Sequence, residues 1–130
     1  MLLTVDNMFA TLVVDDQQQE ATAMHNERLQ GSLDLLILRT VRSGPMHGWA
    51  IAQRLQELSD DLLKIGQGSL YPALHRLQEA GWLEAEWGIS EAGRRAKFYR
   101  LSRTGRRQLE REVASWEKFS AAVGRVLREA

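Results

Sequence analysis

A mainly α-helical domain with one small β-hairpin and a long terminal helix is predicted by three features of this 130-residue sequence. Three short stretches carry apolar residues at helical spacing. After Gly81, which follows the third, the apolar period changes to two and recurs on both sides of a glycine- and arginine-containing turn, the pattern of a hairpin. From Ser102 onward the apolar residues return at alternating four- and three-residue steps, which is a long helix with one apolar seam. A chain of this length has room for one such domain and one helix used for association.

Residues 1–27 hold no sustained period, and 17–23 is polar, so a mobile N-terminal extension is expected there. Met1 and Met24 both remain open as the natural start. Asp6, Asp15, Asp16 and Glu20 face no Lys or Arg within residues 1–25, a local charge of −4. Since the chain sums to zero, the remainder carries +4.

The first helix is expected at 32–43, with Ser32 as N-cap and Leu33, Leu36, Ile37 and Val41 as its inner face, widened by Leu35 and Leu38. Gly44-Pro45 stops it. A second helix at 47–58 would bury Ile51, Ala52, Leu55 and Leu58, with His47 shaping its start. The loop 59–66 holds Leu62, Leu63 and Ile65, a candidate one-rung strand. The stretch 67–81 is the organising one. Leu70, Leu74 and Leu77 bury one face, Gly66 and Gly68 permit a tight turn into the helix, and Gly81 supplies a left-handed stop. Pro72 favours a start of regular helix near Leu70. Ser69, Tyr71, Pro72, His75, Arg76 and Glu79 lie off the leucine stripe, so this helix is either an ordinary core helix or a recognition helix with a polar, hydrogen-bonding N-terminal end.

In the hairpin, Leu83, Ala85 and Trp87 alternate with Glu84 and Glu86 along 82–87, and 96–101 returns with Tyr99 and Leu101 facing inward. Three short helices and a hairpin compose a winged helix-turn-helix, here residues 28–101, followed by the terminal helix 102–130. In that arrangement the third helix enters the DNA major groove and the hairpin, or wing, reaches the flanking backbone. Arg94, Arg95 and Lys97 fall where a wing meets phosphates, within a segment, 94–111, that has eight basic residues against Glu110 alone. A winged helix that binds protein instead of DNA is the competing reading, and a salt-sensitive affinity for duplex separates the two.

Leu109, Val113, Trp116, Ser120, Val123 and Leu127, flanked by Phe119 and Val126, form a stripe too long for so small a domain to cover, which predicts a homodimer on a pseudo-palindromic operator. The absence of cysteine removes disulfides and thiolate metal sites, and no run approaches membrane-spanning length. His25, His47 and His75 are scattered, and no phosphate loop or nucleophile–base set occurs, so no catalysis, cofactor or metal is expected. With no spanning run and no signal-peptide pattern in residues 1–14, a cytoplasmic protein is expected.

G-P-M-H-G-W-A-I at 44–51, G-S-L-Y-P-A-L-H-R-L at 68–77 and R-R-A-K-F-Y-R-L at 94–101 resemble PadR-type transcriptional regulators. The resemblance covers roughly residues 29–127, and three ordered motifs make it specific. It implies a winged-helix DNA-binding domain with Tyr71, His75 and Arg76, together with Ser69 and Gln67, in or beside the major groove, a C-terminal dimerisation helix, and repression relieved by a small molecule. The single terminal helix is similar to the shorter PadR branch, in which a central tryptophan can line a pocket for flat aromatic ligands; this points to Trp116 as either an effector contact or a packing residue of the dimer seam. One departure is Trp49, where the family commonly has Tyr: an indole offers only an N–H donor.

Overall fold

The computed structural model describes residues 23–130, with side chains from Ser32 onward. Most of the expected N-terminal extension, residues 1–22, lies outside the described residues. The elements run α1 (Ala23–Val41), β1 (Met46–His47), α2 (Gly48–Leu58), α3 (Gln67–Glu79), β2 (Leu83–Ile89), β3 (Arg95–Leu101) and α4 (Arg103–Glu129). This is the winged helix-turn-helix with a long terminal helix that the periodicity predicts.

α1 begins nine residues before Ser32, so Ser32 sits inside the helix and caps nothing. Leu33, Ile37, Leu38 and Val41 are its buried face, while Leu35 and Leu36 pack only at the margin. α2 is capped by His47, whose Nδ1 accepts a hydrogen bond from the Ala50 N–H at 3.2 Å. Ile51 and Leu55 are buried, but Leu58, expected inward, is 63% exposed. The helix ends at Ser59, and Asp60 and Asp61 then take positive φ values of 57° and 67°. That reversal directs Leu63 and Ile65 into the core and leaves Leu62 out. The segment forms no strand; the third strand of the sheet is β1 instead, paired to β3 through Met46↔Tyr99 and His47↔Phe98.

α3 starts at Gln67, three residues before the expected position, with Gly66 as an N-cap at an ordinary φ of −77°. Pro72 therefore lies inside the helix, where it withholds one N–H from the ladder. Leu70, Ala73, Leu74 and Leu77 fill the centre of the core. The far end closes as a Schellman turn: Gly81 at φ 82° donates to the Gln78 carbonyl, and the Trp82 N–H donates to the Leu77 carbonyl.

The sheet is antiparallel in the order β1-β3-β2, with Leu83↔Leu101, Ala85↔Tyr99, Trp87↔Lys97 and Ile89↔Arg95 in register. Leu83 and Tyr99 are buried against the helices, and Ala85 and Leu101 pack beside them. Trp87, expected inward, is 56% exposed because the hairpin outruns the core by then. Ser102 ties the end of β3 to the end of α3: its hydroxyl donates to the Gly81 carbonyl at 2.6 Å and accepts from the Gly105 N–H at 2.9 Å, capping α4 as expected. Along α4, Leu109 is buried and Val113 packs on the core. Farther along, Trp116, Ser120 and Val123 are half-buried, whereas Phe119, Val126 and Leu127 are exposed.

Candidate nucleic-acid interface

A helix with four buried residues on one side must present the others outward, and helical geometry sorts those of α3 into two flanks. Gln67 and Tyr71 lie on the flank toward α2. The Tyr71 ring rests on Gly48, where a Cβ would come within 2.9 Å of the phenolic oxygen, so only glycine admits that contact. His75 lies in the outward middle of α3, exposed, with Nε2 3.5 Å from the Glu79 carboxylate. Ser69 and Arg76 occupy the opposite flank.

Arg76 is turned away from the outward face. Its Nη2 donates to Asp34 Oδ1 of α1 at 2.7 Å, which fixes the azimuth of α3 on α1. Burial raises the Asp34 carboxyl above its ordinary value, more than the Arg76 cation lowers it, and Glu112 of α4 raises it further. A raised acid binds its proton more tightly folded than unfolded, so its stabilising contribution is full below 3.8 and is lost as the pH rises through the folded value. Asp34→Asn is accordingly expected to lie within about 1 kcal/mol of the parent at neutral pH. The parent should gain on that variant as the pH is lowered toward 4. Denaturant titrations at several pH values check this, and a pH-independent difference between the two proteins would contradict it.

The hairpin supplies the second part of the surface. Its turn is held by the Ser90 N–H donating to the Arg94 carbonyl at 2.8 Å and by Gly93 at φ 78°. The register places Trp87, Ile89, Arg95 and Lys97 on the face that, nearer the helices, carries Leu83 and Tyr99. Arg95 stacks its guanidinium on the Trp87 indole at 4.4 Å, and the Lys97 ammonium sits 5.7 Å from the Tyr99 ring centroid. Burial first, and then the nearby Tyr71 phenol, raise the Tyr99 hydroxyl above its ordinary value. Arg95 and Lys97 thus lie on the strand face whose helix-proximal residue, the buried Tyr99, feels the Tyr71 phenol of α3.

The opposite face of the hairpin is different. There Arg100 pairs with Glu84 at 3.1 Å and reaches Glu86 at 4.0 Å. The basic segment 94–111 therefore does not form one surface: pleating sends Arg95 and Lys97 one way and Arg100 the other.

Two further residues, Gln53 and Lys64, escape a reading by motif. Trp49 and Gln53 of α2, with Lys64, Gln67 and Tyr71, line a groove of about 280 Å³ between the two helices. Trp49, in the first turn of α2, is 63% exposed. Lys64 is one base in an apolar loop, and nothing in its neighbours' period marks it. A larger cavity of about 350 Å³ lies between α1 and α4, where Arg39, Arg42 and Arg106 meet Leu109 and Val113. Trp116 does not line it; its ring lies 6.0 Å from that of Phe119.

The sequence matches the model of the transcriptional regulator PadR-like family over residues 37–111. It is 32% identical to the transcriptional regulator Rv3488 of Mycobacterium tuberculosis over 94 residues, 72% of this chain and 84% of that protein. Among solved structures it is similar to a PadR-like transcription factor from Bacteroides fragilis, with 29% identity and a TM-score of 0.67 over 80% of this chain and 98% of the other. A PadR family regulator from Eggerthella lenta is likewise 29% identical, with a TM-score of 0.65 over 88% of this chain and 97% of that one.

Proposed function

The chain belongs to the PadR-like family of transcriptional regulators, which act on DNA and are not enzymes, and from that premise we propose that it is a ligand-responsive repressor working as a homodimer. The observation that supports the DNA contacts is that Arg95 and Lys97 share the strand face that leads back to Tyr99, near Tyr71 of α3. In this reading Gln67, Tyr71 and His75 meet the major groove, and Ser69 reaches its edge. Arg94, Arg95 and Lys97 meet backbone phosphates. Arg76, held by Asp34, acts by orienting α3. Residues 28–101 form the DNA-binding unit and 102–130 the association helix. A protein that works on DNA in this way belongs in the cytoplasm, and no helix among the described residues is long and apolar enough to cross a membrane.

The exposed distal part of α4 supports dimerisation: Phe119, Val126 and Leu127 continue the seam that Leu109, Val113, Trp116 and Val123 begin. A two-fold axis there would set two copies of α3 on half-sites about one turn apart, roughly 10 bp. Light scattering at micromolar concentration is expected to return twice the chain mass, and a monomer mass would remove the dimer from this reading.

The effector reading rests on Trp116. Two indoles brought together across the axis would sandwich a flat aromatic molecule, and that ligand would change DNA affinity only by favouring one spacing of the two α3 helices. Planar aromatic compounds are expected to quench fluorescence and weaken operator binding together, and both responses should shrink in Trp116→Phe. Equal responses in that variant would move the effector elsewhere.

A further inference from the structure

A single exposed aromatic residue is ordinary on a protein surface. Trp87 is less ordinary because of what surrounds it. It projects from the inner face of the wing beside Ile89, itself 68% exposed, and one of its ring faces is already occupied by Arg95. That contact holds the guanidinium over the indole and restricts both side chains. Lys97 is its direct cross-strand partner. An apolar plate framed by two cations suits a partner that offers apolar surface bordered by negative charge. The sugar and base edges of a duplex groove, lined by phosphates, have that chemistry. The carboxylates Glu84 and Glu86 lie on the other face of the hairpin, and Glu91 lies in the turn. The inner flank of the wing is therefore its anion-compatible part.

We propose that Trp87 is itself a DNA-contacting residue, its indole lying against the sugars of the groove that the wing meets while Arg95, stacked on it, reaches the adjacent phosphate. The inference rests on the DNA-binding reading above and adds to it an apolar contact that charge does not supply. A contact of this kind releases no condensed counterion, so it contributes to affinity without contributing to salt dependence.

The test compares the full-length parent with Trp87→Ala, Trp87→Phe and Arg95→Ala, titrated against an operator duplex and a random duplex over a range of salt. Trp87→Ala is expected to weaken binding to both duplexes by roughly tenfold, the scale of one buried aromatic face, with the salt slope unchanged. Trp87→Phe should recover most of that affinity. Arg95→Ala should weaken binding and lower the slope by about 1. A Trp87→Ala protein with parental affinity would overturn the proposal. So would one whose slope falls with its affinity, since the indole would then serve only to hold Arg95. A changed oligomeric mass in Trp87→Ala would overturn it too, by marking the indole as a protein contact. A parent that binds no duplex at all would instead end the DNA-binding reading, and this inference with it.

Discussion

Gly105→Ala is expected to destabilise the folded chain by roughly 3 kcal/mol. Gly105 lies in the first turn of α4, where a Cβ would overlap the Trp82 carbonyl oxygen and come within 2.9 Å of the carbonyl carbon. Those atoms are backbone and cannot swing aside. The same carbonyl accepts from the Ser102 N–H at 3.0 Å, and the Ser102 hydroxyl accepts from the Gly105 N–H. One added methyl group thus pushes the start of α4 away from the junction that joins α3 to the wing. Gly124→Ala, in the same helix, is the control. Its Cβ would meet only the far end of the Arg128 side chain, at 3.1 Å. Removing a mid-helix glycine there should stabilise by about 0.5–1 kcal/mol. Denaturant unfolding of both variants at one protomer concentration decides the matter; equal and small effects would mean that α4 does not dock on Trp82 as described.

Replacing Arg94, Arg95 and Lys97 together by alanine is expected to weaken binding to every duplex and to flatten the plot of log K against log salt by about 3, near one unit for each phosphate that is no longer neutralised. Tyr71→Ala should behave differently. The ring stands on Gly48 at the junction of α2 and α3, and its removal should lower affinity for the operator by about 1–3 kcal/mol more than for random DNA, at nearly constant slope. The contrast would arise because, in the proposed reading, cations on the wing act by charge and a phenol on α3 acts by position. If the triple variant kept its affinity for random DNA, the wing would not be the part that meets the backbone.

Much of this arrangement is legible in the sequence because it depends on period and punctuation. The leucines of α3, the stop at Gly81, the cap at Ser102 and the alternation of the hairpin all follow from local chemistry and reappear in the structure. What sequence alone misplaces depends on distant neighbours. Ser32 looks like a cap, yet α1 passes through it, since a good capping residue is also tolerated inside a helix that tertiary packing supports. Trp87 keeps the alternation of a core strand, but period cannot tell where a hairpin leaves the core. Met46–His47 is too short to show any alternation, and it becomes a strand only because β3 offers an unpaired edge.

Within the candidate site the same distinction holds. The motif around Gln67–Glu79 marks the residues of α3 that stand off the core, but it does not reveal that Arg76 spends its guanidinium on Asp34, forty-two positions earlier. Nor does a run of basic residues reveal that Arg100 is matched by Glu84 while Arg95 lies on Trp87. Those assignments come from register and from helix azimuth, which are tertiary quantities.

In the proposed reading, the outward side of α3 and the inner face of the wing form one duplex-binding surface, duplicated by a two-fold axis. That arrangement is tested most directly by footprinting the full-length protein on the DNA flanking its own gene over a range of salt. The expected result is protection of two half-sites about one helical turn apart, roughly 10 bp, fading steeply and together as salt is raised. Protection of no site at low salt, or protection indifferent to salt, would contradict it.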